Sequence, residues 1–212
     1  MKLDKKGQPI EPIMKQTRDY AENRPDKVRD SKWAGIEKPY IKYPSRKRTM
    51  HGSVEAAYFY TRPQELGDGN YANLGVFRGF STSCFAWGLD KIKGKGKVYG
   101  VDLFNFITPE ELRKNFKDCS IEQYLEICKG YTHEWPERLK DVRFKFIFID
   151  ADHHYETCKQ DFELWSPLLE EGGQIAFHDT DISCVDRVIK ELGSEWEQVD
   201  HYFSTKSFKR IK

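Results

Sequence analysis

A membrane span is the first thing this chain lacks: no apolar run approaches the ~20 residues that a bilayer-crossing helix needs. An excess of either charge is also missing. Its 35 Lys and Arg balance 34 Asp and Glu, for a formal net charge of +1. No overall field therefore draws it to nucleic acid or to an anionic membrane, and neither is expected as a partner. The start, Met1-Lys2-Leu3-Asp4-Lys5-Lys6, has no apolar h-region, so a secretory signal is not expected. Cysteine pairing is absent as well. Cys84, Cys119, Cys128, Cys158 and Cys184 are odd in number, widely spread and contain no CxxC. They read as free, mostly buried thiols of a reducing compartment, which places the chain in the cytoplasm. Finally there is no Gly-x-Gly-x-x-Gly turn, which argues against a nicotinamide oxidoreductase.

What remains is a chain of 212 residues with 33% charged and 38% hydrophobic residues, enough for one domain with an extension. Residues 1–45 form a polar extension rich in Lys, Arg and Pro, and residues 46–212 the domain. Pro9, Pro12, Pro25, Pro39 and Pro44 break any long helix in the extension. Trp33, Ile36, Tyr40, Ile41 and Tyr43 indicate that its second half docks on something. The basic run Ser45-Arg46-Lys47-Arg48 reads as a solvated turn. The extension's apolar content is too low to decide the oligomeric state, and a homo-oligomer stays open.

The domain is organised around Phe144–Ile149, an aromatic and β-branched run that reads as a strand in the middle of a sheet. It ends abruptly in Asp150-Ala151-Asp152-His153-His154-Tyr155. Before it, Ser53 to Gln64 reads as a helix capped by Ser53. Strands are expected at Tyr71–Leu74, Val98–Val101 and Tyr124–Cys128, the last in competition with a helical reading from Ser120, with helices at Thr82–Leu89, from Thr108-Pro109, and at His133–Leu139. After it, Glu156 to Leu169 has helical spacing, stopped by Glu171-Gly172-Gly173. Gln174–Phe177 is a fifth strand and Val185–Leu192 a helix. Glu197–Phe203 with Ser207–Ile211 forms a closing antiparallel hairpin. Alternation of strand and helix from 71 to 192 implies an α/β fold, a mostly parallel sheet with helices on both faces.

Polar residues collect where the strands end, and the ligand crevice of such sheets lies at those carboxyl ends. After the first strand comes a glycine turn, Gly75 to Gly79, entering a helix with Ser81 and Thr82 at its start, a site suited to an anion. Asp102 ends the second strand 27 residues beyond Gly75, where a carboxylate can accept from both hydroxyls of a ribose. Asp150 and Asp179 end the fourth and fifth strands, and two such carboxylates can hold a hard divalent cation such as Mg2+ or Ca2+.

On these stretches the chain resembles the class I S-adenosylmethionine-dependent methyltransferases. More narrowly, it is similar to the small O-methyltransferase group that includes cephalosporin-hydroxylase-like and macrolide sugar O-methyltransferase proteins. The matching runs are Asn73–Thr82, Val98–Asp102, Phe148–Glu156 and Leu168–Thr180. The resemblance implies a Rossmann-like seven-stranded sheet with the last strand antiparallel. It implies that Asn73, Gly75, Phe77, Arg78, Gly79, Ser81 and Thr82 hold the methionine part of S-adenosylmethionine and Asp102 the ribose. Tyr131 and Thr132 would flank the adenine, with Asp150 and His153 bordering the cofactor. Asp150 and Asp179 match metal ligands of metal-dependent members. This chain departs from the pattern with Asn73 in place of an acid and with His178 beside Asp179. His178 would favour a softer transition metal.

A hydroxyl acceptor has to lose its proton, to a base or with the help of a cation. Asp152, His153, His154 and His178 are the catalytic candidates, and the sequence does not choose a base among them. A divalent-dependent O-methyltransferase acting on a small-molecule or sugar hydroxyl, with ligands Asp150, His178 and Asp179, is the expectation. The alternative is a non-catalytic member of the fold that binds a nucleoside or a partner.

Overall fold

Phe144–Ile149 is a strand, and it lies near the centre of the sheet, buried along both faces except at Lys145. The structure, a computed structural model, describes residues 53–211. The extension 1–45, its aromatic residues from Trp33 to Tyr43 and the basic turn at 45–48 lie outside the described residues. So does the side chain of Ser53, the expected cap of the first helix.

The elements in order are helix α1 (Ser53–Leu66), β1 (Asn70–Leu74), α2 (Phe80–Ile92), β2 (Val98–Asp102), α3 (Pro109–Asp118), β3 (Leu125–Lys129), α4 (Trp135–Arg138), β4 (Phe144–Ile149), α5 (Tyr155–Trp165), β5 (Leu169–Phe177), α6 (Ser183–Lys190), β6 (Trp196–Tyr202) and β7 (Thr205–Arg210). The seven strands form one sheet in the order β3-β2-β1-β4-β5-β7-β6. β1 to β5 are mutually parallel, and β7 runs antiparallel between β5 and β6. The chain moves outward from β1 to β3, then returns to the other side of β1 with β4. The strand order therefore reverses between β1 and β4, and a crevice opens at their carboxyl ends.

Two apolar layers hold the sheet. On one face Phe59 of α1 and Phe85 of α2 meet Phe146 and Phe148 of β4, with ring centroids 4.8 to 6.3 Å apart. On the other, Trp165 of α5 packs on Phe144, and Phe162 on Phe177. Phe146 and Phe148 thus feed one layer and Phe144, Ile147 and Ile149 the other, which is why β4 reads as almost continuously apolar.

Helix α3 begins as its sequence dictates. Thr108 Oγ1 accepts from Glu111 N at 3.1 Å and Glu111 Oε2 accepts from Thr108 N at 3.0 Å, with Pro109 in the first turn. The expected helix stop at Glu171-Gly172-Gly173 is corrected. Helix α5 ends at Trp165, a short 3-10 turn Ser166–Leu168 follows, and β5 already begins at Leu169. Pro167 cannot supply the backbone N–H that a continuing helix needs. The glycine pair instead loops out within β5: Phe144 pairs with Leu169, but Phe146 pairs with Gln174.

Candidate active site

The glycine turn after β1 is set by backbone crowding. Gly75 has φ +91, and a Cβ there would collide with the carbonyl of Asp150, where β1 and β4 end side by side. Asp102, at the end of β2, fastens this turn. Its Oδ2 accepts from Val76 N at 2.8 Å and Phe77 N at 2.9 Å, and its Oδ1 accepts from Phe104 N at 2.6 Å. The carboxylate therefore joins the two loops that flank the crevice while still bordering the cavity between them. Gly75, Phe77, Arg78 and Ser81 also line that cavity.

Three residues assigned to the cofactor lie outside the lining of the cavity and have structural work. Gly79 caps α2 in a left-handed conformation, φ +87, and a Cβ there would strike Leu112 of α3. The space it leaves is taken by the Leu112 side chain. Asn73 is fully buried inside β1, where its Nδ2 donates to Ser81 Oγ at 2.9 Å and Thr82 Oγ1 at 2.6 Å. Asn73 and Thr82 thus fix the first turn of α2 from below, outside the lining of the cavity. An amide here can donate to both hydroxyls, which a carboxylate cannot.

Tyr131 and Thr132, after β3, sit at the other end of the cavity. Tyr131 is 57% exposed and stacks on His133 at 5.4 Å. Thr132 is buried, and its carbonyl accepts from Trp165 Nε1 at 3.1 Å. Beneath it lies Asp161 of α5, fully buried. Burial pushes its carboxyl up to about 6, with the Thr132 hydroxyl opposing.

Four side chains converge where β4 and β5 end. The ligand atoms of Asp150, His153, His178 and Asp179 all lie within 4.8 Å of one another. His178 Nδ1 is 3.0 Å from Asp150 Oδ1 and 3.3 Å from Asp179 Oδ2. His153 Nε2 is 3.0 Å from Asp179 Oδ2 and 3.8 Å from Asp150 Oδ1. His178 is 6% exposed, and its other nitrogen, Nε2, is 3.1 Å from Glu55 Oε1 of α1 and 3.1 Å from Ser204 Oγ. Burial alone would lower the His178 pKa. Its bonds to Asp150, Asp179 and Glu55 outweigh that and push it up to about 12. The Asp179 hydrogen bond raises His153 in the same way, while bonds from His153 and His178 hold Asp179 far below the usual carboxylate range.

The donor chemistry of this cluster fits a divalent cation. Two carboxylates and two imidazoles offer O and N ligands. Donors ~2.1 Å from one ion and at right angles stand ~3.0 Å apart, and wider angles open that to ~3.4 Å. The 3.0 and 3.3 Å separations around His178 Nδ1 fall in that range. The predicted set of Asp150, His178 and Asp179 is thus brought together, and His153 joins it.

The remaining base candidates separate. His154 points away: it precedes α5, its side chain is 83% exposed, and it pairs with Asp152 at 2.7 Å, outside the lining of the cavity. Asp152 borders the cavity. Burial would raise its pKa, but the backbone and ring hydrogen bonds from His154 hold it below its ordinary value. Glu55 was not foreseen. Its only sequence signal is a lone acid within the apolar run Val54–Tyr60. Helix α1 carries it to the site because Tyr58 stacks on Tyr202 of β6 at 5.4 Å and Phe59 seats on Phe148.

The cavity spanning these groups has a volume of about 760 Å3, within the usual range for a small-molecule site. It runs from Tyr131 past Asp102 and Gly75 to Asp150, His153 and Asp179. Near its mouth Phe106 is 65% exposed and packs on Phe77 at 4.9 Å.

Comparison with known proteins gives three findings. A family described as a methyltransferase domain matches residues 72–180, about half of the chain. An uncharacterized protein, R132, of Acanthamoeba polyphaga mimivirus is 28% identical over 148 residues, 66% of this chain. The chain spans 64% of that relative's length, and only 10% of a second relative, protein y4gI of Sinorhizobium fredii, 26% identical over 108 residues. Among solved structures, CalS11, a TDP-rhamnose 3'-O-methyltransferase of calicheamicin biosynthesis, superposes with a TM-score of 0.61 at 18% identity, covering 76% of this chain and 80% of its own. An O-methyltransferase from Bacillus cereus, solved in complex with SAH, gives 0.58 at 14% identity, covering 92% and 88%. At such identities the likeness is one of fold.

Proposed function

The chain belongs to the methyltransferase-domain family, and from that premise we propose that it transfers the methyl group of S-adenosylmethionine to a hydroxyl of a small molecule or sugar, assisted by a divalent cation. One observation carries this reading. A single cavity of about 760 Å3 is lined by Tyr131, Asp102 and Gly75 and also by the carboxylate–imidazole cluster.

The residues divide the work. Asp102 spends part of its acceptor capacity on Val76, Phe77 and Phe104. A carboxylate has about four lone-pair sites, so it keeps capacity for ribose hydroxyls. The exposed ring of Tyr131 offers one face to an adenine. Ser81 and the start of α2 border the methionine end. S-adenosylmethionine, when bound, supplies an electrophilic methyl group on a sulfonium. Displacement there is in line, so the main task of the protein is to hold the acceptor oxygen at near-attack distance. Asp150, His178 and Asp179 would hold the cation, which when bound orients the acceptor hydroxyl and lowers its pKa. His153 is the cluster's imidazole at the cavity edge, with 35% of its side chain exposed. Its Nε2 is engaged by Asp179, leaving Nδ1 to take the acceptor proton.

The structural neighbour CalS11 is named for a sugar hydroxyl, which supports a sugar or small-molecule acceptor. The chemistry calls for no nucleic acid or membrane partner. Titration calorimetry with S-adenosylhomocysteine tests the premise. Binding with one site per chain is expected, and absence of binding by folded protein refutes it.

A further inference from the structure

The cation site has an unusual makeup and an unusual support. Of the three groups assigned as ligands, His178 is an imidazole, and it is buried between two opposing demands. Its Nδ1 faces Asp150 and Asp179, while its Nε2 faces Glu55 and Ser204. Ionised Glu55 only accepts hydrogen bonds, so it holds the N–H on Nε2, and a cation that displaces the Nδ1 proton would find that lone pair aimed between the two strand-end carboxylates. A carboxylate behind an imidazole is the usual way a metal-ligating histidine is oriented and made more basic. Glu55 is itself 7% exposed and comes from a helix whose neighbours Tyr58 and Phe59 are locked in the core.

Magnesium and calcium prefer oxygen ligands and gain little from an imidazole, whereas iron, nickel and zinc suit one, and manganese, chiefly an oxygen-ligand ion, accepts one more readily than magnesium does. We propose that Glu55 is a positioning residue that presents His178 Nδ1 as a nitrogen ligand, and that the site thereby selects a first-row transition metal over magnesium. This deepens the proposed function and rests on its assignment of the ligands. The competing arrangement is a metal-free cluster, in which an imidazolium bridges the three carboxylates.

The test uses the full chain loaded with Mn2+ and read by pulsed electron paramagnetic resonance, with metal affinities from competition calorimetry. Nitrogen coupling to bound Mn2+ is expected in the native protein and is expected to disappear in His178→Asp. Glu55→Ala should weaken Mn2+ and Co2+ binding ten- to hundredfold, as loss of such a support does elsewhere, while Mg2+ binding changes little. Glu55→Gln, which keeps an acceptor oxygen, should recover part of the loss. No nitrogen coupling in the native protein, or an equal loss of Mg2+ and Mn2+ affinity in both Glu55 variants, overturns the proposal. Because the first measurement uses native protein, an unstable variant leaves it decisive. S-adenosylhomocysteine titrated into the same samples separates the two readings. Binding of that nucleoside without nitrogen coupling sinks only the metal selection. Coupling without nucleoside binding sinks only the methyltransferase reading.

Discussion

Replacing Asp102 by Asn separates two roles that one carboxylate plays. The native carboxylate accepts from three backbone N–H groups, Val76, Phe77 and Phe104, at 2.8, 2.9 and 2.6 Å. Hydrogen bonds to an ionised acceptor contribute roughly 1.5–3 kcal/mol each when fully desolvated. Asp102 is only half-buried, so water recovers part of that on substitution. Asn keeps one carbonyl oxygen and turns an NH2 toward N–H donors. A stability loss of about 1–3 kcal/mol is expected, read as a few degrees of Tm by calorimetry. The ribose contact is a separate effect. Loss of the ionised acceptor should weaken S-adenosylhomocysteine at least about tenfold, or ~1.4 kcal/mol. A deoxyribose analogue distinguishes a lost contact from a distorted turn. Native protein should discriminate against the analogue, and Asp102→Asn should bind both ligands alike, a coupling that a double-mutant cycle measures. Equal discrimination by both proteins would show that Asp102 is a loop fastener only.

Further outcomes follow from the same geometry. Gly79→Ala should lower stability by about 1–3 kcal/mol, because φ is +87 and the new methyl meets Leu112; unchanged thermal unfolding would refute the packing role. The Asp161 carboxyl has its folded pKa raised from 3.8 to about 6. The native state therefore holds that proton longer than the unfolded chain, and stability is lost as pH rises from about 4 through about 6, then stays level. Asp161→Asn should raise stability at pH 7, by at most about 3 kcal/mol, and flatten that slope in denaturant titrations; a parallel slope in the variant would assign it elsewhere. His154→Ala should leave methyl transfer within about twofold, since an exposed pair contributes at most ~1 kcal/mol, whereas His153→Ala should lower kcat by about 100-fold or more. The reverse order would exchange their roles.

The sequence displayed those features whose cause is local. The apolar run Phe144–Ile149, short and rich in aromatic and β-branched residues, reads as a buried strand, and Thr108-Pro109-Glu110-Glu111 carries its own cap. Strand ends were legible because Asp102, Asp150 and Asp179 interrupt apolar runs abruptly. Features set by distant neighbours were not. Gly79 looks like a ligand-binding glycine until Leu112, 33 residues later, is found in its space. The glycine pair at 172 and 173 stops helices in most settings, but Pro167 had already ended this one. His153 and His154 are adjacent in sequence, and only the direction of the chain leaving β4 decides which turns inward. Glu55 depends on a contact 123 residues away, for which no local pattern exists.

The most direct test of the central claim is transfer of labelled methyl from S-adenosylmethionine to a panel of sugar and small-molecule hydroxyls, before and after exhaustive chelation. Transfer should fall to background on chelation, return on adding a divalent cation, and be lost in Asp179→Asn under all conditions. Full transfer without metal, together with an unimpaired Asp179→Asn variant, would contradict a metal-binding role for the strand-end cluster.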